Sequence, residues 1–206
     1  MRFYLSSYKI GNQLEKLLSL FSDNKKVGYI PNALDFTQAD PERREKHIEN
    51  DMQSLVDNGL QVELLDLKEY FNKKDHLREK LQSLGGVFIS GGNTFVLRQA
   101  MRLSGFDSIL EKYKNREDFV YAGYSAAGCV LSPSLKAYAI VDDATDHPYV
   151  DQSETIWDGL NIIDYAFLPH FDSNHPESED VAKEVQYCVE NGIPFKTLKD
   201  GEVIVI

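Results

Sequence analysis

The feature that most constrains this chain is an alternation along its length: a short apolar run, a turn built on glycine, proline or asparagine, then an amphipathic helical stretch. Residues 2–7 read as a first strand, and 11–21 as a helix with Leu14, Leu17, Leu18 and Phe21 at helical spacing. Residues 27–31 form a second buried strand, closed by Pro31. Asp40 and Pro41 supply an N-cap and first helical position for a helix with Ile48, Met52, Leu55 and Val56 on one face and Gly59 as its stop. A strand at 61–66, a charged helix at 74–84, a buried strand at 86–90, a helix opened by Asn93 and Thr94, and a short helix at 105–114 continue the pattern. Such alternation predicts a three-layer α/β fold: a mostly parallel, doubly wound sheet with helices on both faces.

Residues 119–131 carry the sharpest local signal. An apolar strand ends in small residues, turns at Ser125 and restarts as a helix; Gly123, Ala126, Ala127 and Gly128 leave room for a tight turn, as in a nucleophile elbow. Ligands of open α/β sheets arrive at the carboxyl ends of the strands, where the Ser125 hydroxyl would stand. The Ala126 N–H, at a helix N-terminus, would favour a developing oxyanion. Serine is also a favoured N-cap, so the turn by itself serves either role. Gly91 and Gly92, at the end of the 86–90 strand and just before Asn93, let the backbone approach a ligand and offer a second oxyanion donor; the alternative is a capped tight turn.

With 206 residues and 42% hydrophobic content, the chain suits one sizeable core, read as a single domain over 1–206. A net charge of -11 without a basic block argues against nucleic acid or an anionic membrane as partner. Residues 1–9 lack the apolar core of a signal peptide, so the expected location is cytoplasmic. The oligomeric state stays open, a homodimer included. Two cysteines, Cys129 and Cys188, show neither a disulfide framework nor metal-type spacing.

Residues 132–164 lose periodicity and read as a lid or binding loop. An apolar strand at 165–171 then brings His170 to its carboxyl end, on the edge of the sheet expected for Ser125. A last helix spans 177–191 with Val181, Val185 and Val189 on one side, and two short strands flank Asp200-Gly201, a hairpin signal.

A serine nucleophile needs a base. Of the five histidines, His47 and His76 lie on charged helices and read as solvated, whereas His170 shares its predicted sheet edge with Ser125. A carboxylate must orient the imidazole, and Asp200 and Asp146 are the candidates, with Asp142 and Asp143 behind them. A metal reading of His170, Asp172 and His175 with Glu177 or Asp180 matches no strong zinc spacing; neither metal nor organic cofactor is expected.

Three blocks in order and spacing carry a family resemblance: Gly91-Gly92-Asn93-Thr94-Phe95, Gly123-Tyr124-Ser125-Ala126-Ala127-Gly128 and Pro169-His170-Phe171. They resemble the peptidase E family of serine peptidases, which includes aspartyl dipeptidase and, more distantly, cyanophycinase. The resemblance covers most of the chain and implies a class I glutamine amidotransferase-like fold. It also implies Ser125 as nucleophile, His170 as base, Gly92 and Ala126 as oxyanion donors with Gly91 and Asn93 beside them, and Asp200 ahead of Asp146 as the acid. Two positions depart from the family pattern. Ala127 replaces the usual glycine, and the arginine expected to bind an acidic substrate is missing from the helix after Pro169-His170-Phe171, where Lys183 is the only lysine or arginine. The expected activity is therefore hydrolysis of short peptides, with the family's preference for an N-terminal aspartate not carried over and the sequence preference left open. An esterase or amidase, or a catalytically silent peptide or small-molecule binder, are the alternatives.

Overall fold

A computed structural model describes residues 1–21 and 23–206. Its centre is a six-stranded sheet in the order β3-β2-β4-β5-β1-β8: β1 (Arg2–Ser6), β2 (Lys26–Ile30), β3 (Gln61–Leu64), β4 (Gly86–Ile89) and β5 (Val120–Tyr124) run parallel, and β8 (Val203–Val205) pairs antiparallel with β1. Strand alternation divides the core between the two faces. Tyr4, Tyr29, Phe88 and Val120 face α1 (Leu14–Leu20) and α2 (Pro41–Asp57) through Leu17, Phe21, Ile48 and Leu55. Leu5, Val87, Ile89 and Tyr121 face the opposite layer, which includes α3 (Lys74–Gln82), α4 (Thr94–Ser104), α5 (Phe106–Tyr113) and α6 (Ala126–Cys129).

Two caps fall where the sequence places them, because each is settled within a few residues. Asp40 accepts the Arg43 N–H at 2.8 Å, and Asn93 Oδ1 accepts the N–H groups of Phe95 and Val96 at 2.8 and 3.0 Å.

The C-terminal third departs from expectation in three respects. The strand carrying His170 is short, β6 (Ala166–Leu168), and stands outside the main sheet, pairing in parallel with β7 (Phe195–Thr197). Its Phe167 ring packs on Gly128, where an added Cβ would lie 2.5 Å from the ring, so β6 is held to the main body by the elbow helix rather than by a ladder to the main sheet. The Asp200-Gly201 turn closes, Glu202 N–H to Lys199 O at 2.9 Å, but makes no hairpin: β7 goes to β6 and β8 to β1. Finally, α7 (Ser178–Glu190) buries Val181, Glu184 and Cys188, while Val189 is 61% exposed. A strict four-residue repeat drifts around a helix of 3.6 residues per turn, so the true stripe steps three then four.

Candidate active site

The parallel strands end together, and the turns that follow them form the walls of one cavity of about 430 Å³. Tyr8 after β1, Leu34 after β2, Gly91 and Gly92 after β4 and Ser125 after β5 contribute, with His47 from α2 and His170, His175 and Glu177 from the segment between β6 and α7. The volume falls in the range of small-ligand sites.

Ser125 sits at φ 50°, ψ −112°, between β5 and α6. A non-glycine residue in that region stores strain, which the surroundings must hold in place. Ser125 N–H donates to Ser6 O at 3.1 Å, and Ser125 O accepts from Gly128 and Cys129 N–H at 2.8 and 3.1 Å. The Ala127 methyl fits because Gly123 has no Cβ; one there would lie 2.6 Å from Ala127 Cβ and 2.5 Å from Ile89 O. Gly91 is pressed against Tyr124 and Ser125, and Gly92, at φ 137°, has no room for a side chain because Ala33 O would lie 2.3 Å from its Cβ. Among the described residues, neither the Gly92 nor the Ala126 N–H has a backbone acceptor. Asn93 is committed elsewhere: its N–H goes to Ala33 O, Oδ1 caps α4, and Nδ2 donates to Asp143 O at 3.0 Å.

His170 is buried, itself at a left-handed φ of 61°. Its Nδ1 lies 2.7 Å from Asp200 Oδ1, and its backbone N–H donates to Ser7 Oγ at 2.8 Å. Ser7 Oγ in turn donates to Asp200 Oδ1 at 3.0 Å, and Asp200 N–H donates to Ser173 Oγ. Burial pushes the imidazole below its ordinary value against the raising pull of Asp200. Asp146 lies apart from this group: both its oxygens accept from Thr37, through the backbone N–H at 2.9 Å and the hydroxyl. Ser125 and His170 line the same cavity, and no hydrogen bond joins their side chains among the described residues.

Two further histidines stand at the site: His47, which the sequence reads as solvated, and His175, which it offers only as a candidate metal ligand. His47 is half-buried at the cavity wall, with Nε2 2.7 Å from Tyr124 Oη and near Asp51 and Lys9. His175 stacks on His170, ring centroids 3.7 Å apart and planes 9° from parallel, with Tyr8 edge-on to both. His170, His175 and Glu177 are close enough to share an ion in distance terms. Imidazole lone pairs lie in the ring plane, however, and two nearly parallel stacked planes do not converge on one point, so the ring geometry fits a shared ion poorly. Asp172 and Asp180 pair with Lys199 and Lys183. The 132–164 segment contributes nothing to the main cavity wall; it is tied down through Asp142 to Thr94 N–H and Tyr149 Oη to Asp35, and Asp142 and Tyr138 instead line a smaller chamber behind Ser125. No helix among the described residues is long and apolar enough to cross a membrane.

Comparison with known proteins bears on the family and the fold. The model of peptidase family S51 matches residues 6–206. An uncharacterized peptidase of Listeria monocytogenes is 31% identical over 187 residues, covering 89% of this chain and 83% of that protein. Peptidase E of Streptomyces coelicolor is 26% identical over 127 residues, 59% of this chain and 49% of that one. Among solved structures, a peptidase E candidate from Listeria monocytogenes superimposes with a TM-score of 0.71 at 23% identity, covering 100% and 97% of the two chains. A peptidase from an acI-B1 Actinobacterium gives 0.69 at 18% identity, covering 100% and 82%; both likenesses speak to the fold.

Proposed function

The chain belongs to peptidase family S51 and is a serine peptidase, and we propose that it hydrolyses short peptides with Ser125 as nucleophile, His170 as general base and Asp200 as the orienting acid. The observation that carries the reading is the strained Ser125 turn opening onto a cavity whose wall holds the His170–Asp200 pair. Asp200 accepts from Nδ1, which leaves Nε2 free to take the Ser125 proton as the hydroxyl attacks the scissile carbonyl. The oxyanion is stabilised by the N–H groups of Gly92 and Ala126, one on each side of the turn. His170 then returns the proton to the leaving amine, and water repeats the cycle on the acyl-enzyme. Contact between Ser125 and His170 tightens when substrate displaces water, as catalytic hydrogen bonds commonly do. A cavity of about 430 Å³ supports a short peptide rather than a folded protein as substrate.

Labelling with a fluorophosphonate probe, followed by peptide mapping, tests this. Stoichiometric modification of Ser125 is expected, with none in Ser125→Ala and little in His170→Ala. A folded wild type that stays unlabelled while a control serine hydrolase reacts would overturn the reading in favour of a silent binding protein.

A further inference from the structure

Behind Ser125 lies a second chamber of about 20 Å³, which shares Ser125, His170 and Glu177 with the main cavity and is lined further by Thr94, Asp142 and Glu184. That is room for one group the size of a water molecule. Glu184 projects from the buried stripe of α7 and is 2% exposed. Among the described residues it accepts no hydrogen bond and meets no cation. Its neighbour Lys183 is turned outward onto Asp180 at 2.5 Å. Asp142 faces the same space, with one oxygen taking the Thr94 N–H at 2.8 Å.

A buried carboxyl without a partner is costly, and the half-buried Asp142 carboxyl facing the same small space adds to that cost. Burial, with Asp142 next and then Glu177 and Asp180, pushes Glu184 up to about 9, and burial pushes Asp142 up to about 7. A cation in the chamber removes that penalty. An ammonium head is close to water in size; a guanidinium is too large, and a carboxylate is repelled.

We propose that this chamber is a subsite for a primary ammonium group of the substrate, held by Glu184 and Asp142 beside the Ser125 hydroxyl. The inference rests on the serine peptidase reading of Ser125 and His170. The ammonium has two possible sources, the free amino terminus of the peptide or a lysine side chain next to the scissile bond. A lysine source makes the chain prefer substrates of the charge opposite to an aspartate side chain, and an amino-terminal source makes it prefer free over acetylated ends.

The test is a set of fluorogenic amides with lysine, norleucine, alanine or aspartate before the scissile bond, each with a free and an acetylated amino end. The ratio of kcat/KM between ammonium-bearing and neutral twins is read, so that overall activity cancels. A preference of at least about tenfold is expected, falling toward one in Glu184→Gln and in Asp142→Asn. Loss on acetylation assigns the site to the amino terminus; lysine over norleucine assigns it to the side chain. For the lysine and norleucine pair the wild-type ratio should rise from pH 6 to 9 as Asp142 and Glu184 ionise, with Glu177 and His170 facing the same chamber, while Glu184→Gln stays flatter. Equal rates for the twins, or preference for aspartate, with Ser125 still labelled by fluorophosphonate, would overturn the inference and leave the peptidase reading standing. Failure of labelling in the wild type removes the premise itself. Should Glu184→Gln not fold, the wild-type series and Asp142→Asn decide.

Discussion

Asp200 Oδ1 lies 2.7 Å from His170 Nδ1, and the hydroxyl of Ser7 bridges the two residues, donating to that oxygen and accepting the His170 N–H. The pair is thus anchored to the end of β1, beside the strand that carries Ser125. Ser7 fixes the carboxylate in direction, which a turn residue on its own would not achieve.

If Asp200 orients the base, Asp200→Asn lowers kcat/KM by about 10⁴-fold, since the amide stabilises the wrong tautomer. Asp146→Asn, which loses only its contacts with Thr37, costs less than about tenfold. Steady-state kinetics on one short-peptide substrate separate the two.

The pH profile of kcat/KM follows the neutral imidazole. Burial lowers His170 from the ordinary 6.5, so activity holds below pH 6.5 and falls only at more acid values. An acidic limb above 6.5 would count against His170 as the base.

Asp51 knots α2 to the strands beneath the cavity, accepting from Tyr29 at 2.9 Å, Tyr124 at 2.7 Å and Lys9 at 2.6 Å. Burial raises this carboxyl, but the bonds from His47, Lys9 and Tyr124 outweigh it and hold it at about 2, against 3.8 for a free side chain. A depressed carboxyl contributes stability above its unfolded value and loses it as pH falls through 3.8 toward 2. Asp51→Asn should therefore lower the unfolding free energy at pH 7 by about 2 kcal/mol. Urea midpoints of the two proteins should converge as the pH approaches 2.

Glu184 has the opposite sign. A carboxyl at about 9 in the folded protein and 4.5 unfolded costs stability increasingly as pH rises from 4.5 to 9. Glu184→Gln should melt higher than wild type at pH 8, by roughly 10 °C, with little difference at pH 4. Equal melting temperatures at both pH values would mean that Glu184 is not confined as the structure has it.

Gly123→Ala tests the accommodation of Ala127. The new methyl would meet Ile89 O and Ala127 Cβ at 2.5 and 2.6 Å, both on fixed backbone, and should destabilise by about 1–3 kcal/mol. Fluorophosphonate labelling should slow as well, because the elbow shifts.

The sequence by itself determined what neighbours in the chain decide. The strand and helix alternation, the Asp40 and Asn93 caps and the sharp turn at Ser125 each depend on a handful of adjacent residues, so periodicity and turn chemistry were enough to predict them. The tertiary structure alone decided which distant groups meet. Asp200 and Asp146 each had a local explanation, and only the path of β7 brings Asp200, thirty residues on, to His170. The same packing drew β6 onto Gly128 instead of the main sheet, turned His47 from a solvated helix face into a cavity wall, and buried Glu184 in place of Val189. One trace of the last was present: Val181 and Cys188, seven apart, bracket an acid on the stripe that α7 buries. A burial pattern that includes a charge has no cause within its own helix. Its cause lies in Asp142 and the space beside Ser125, which come together only when the chain is folded.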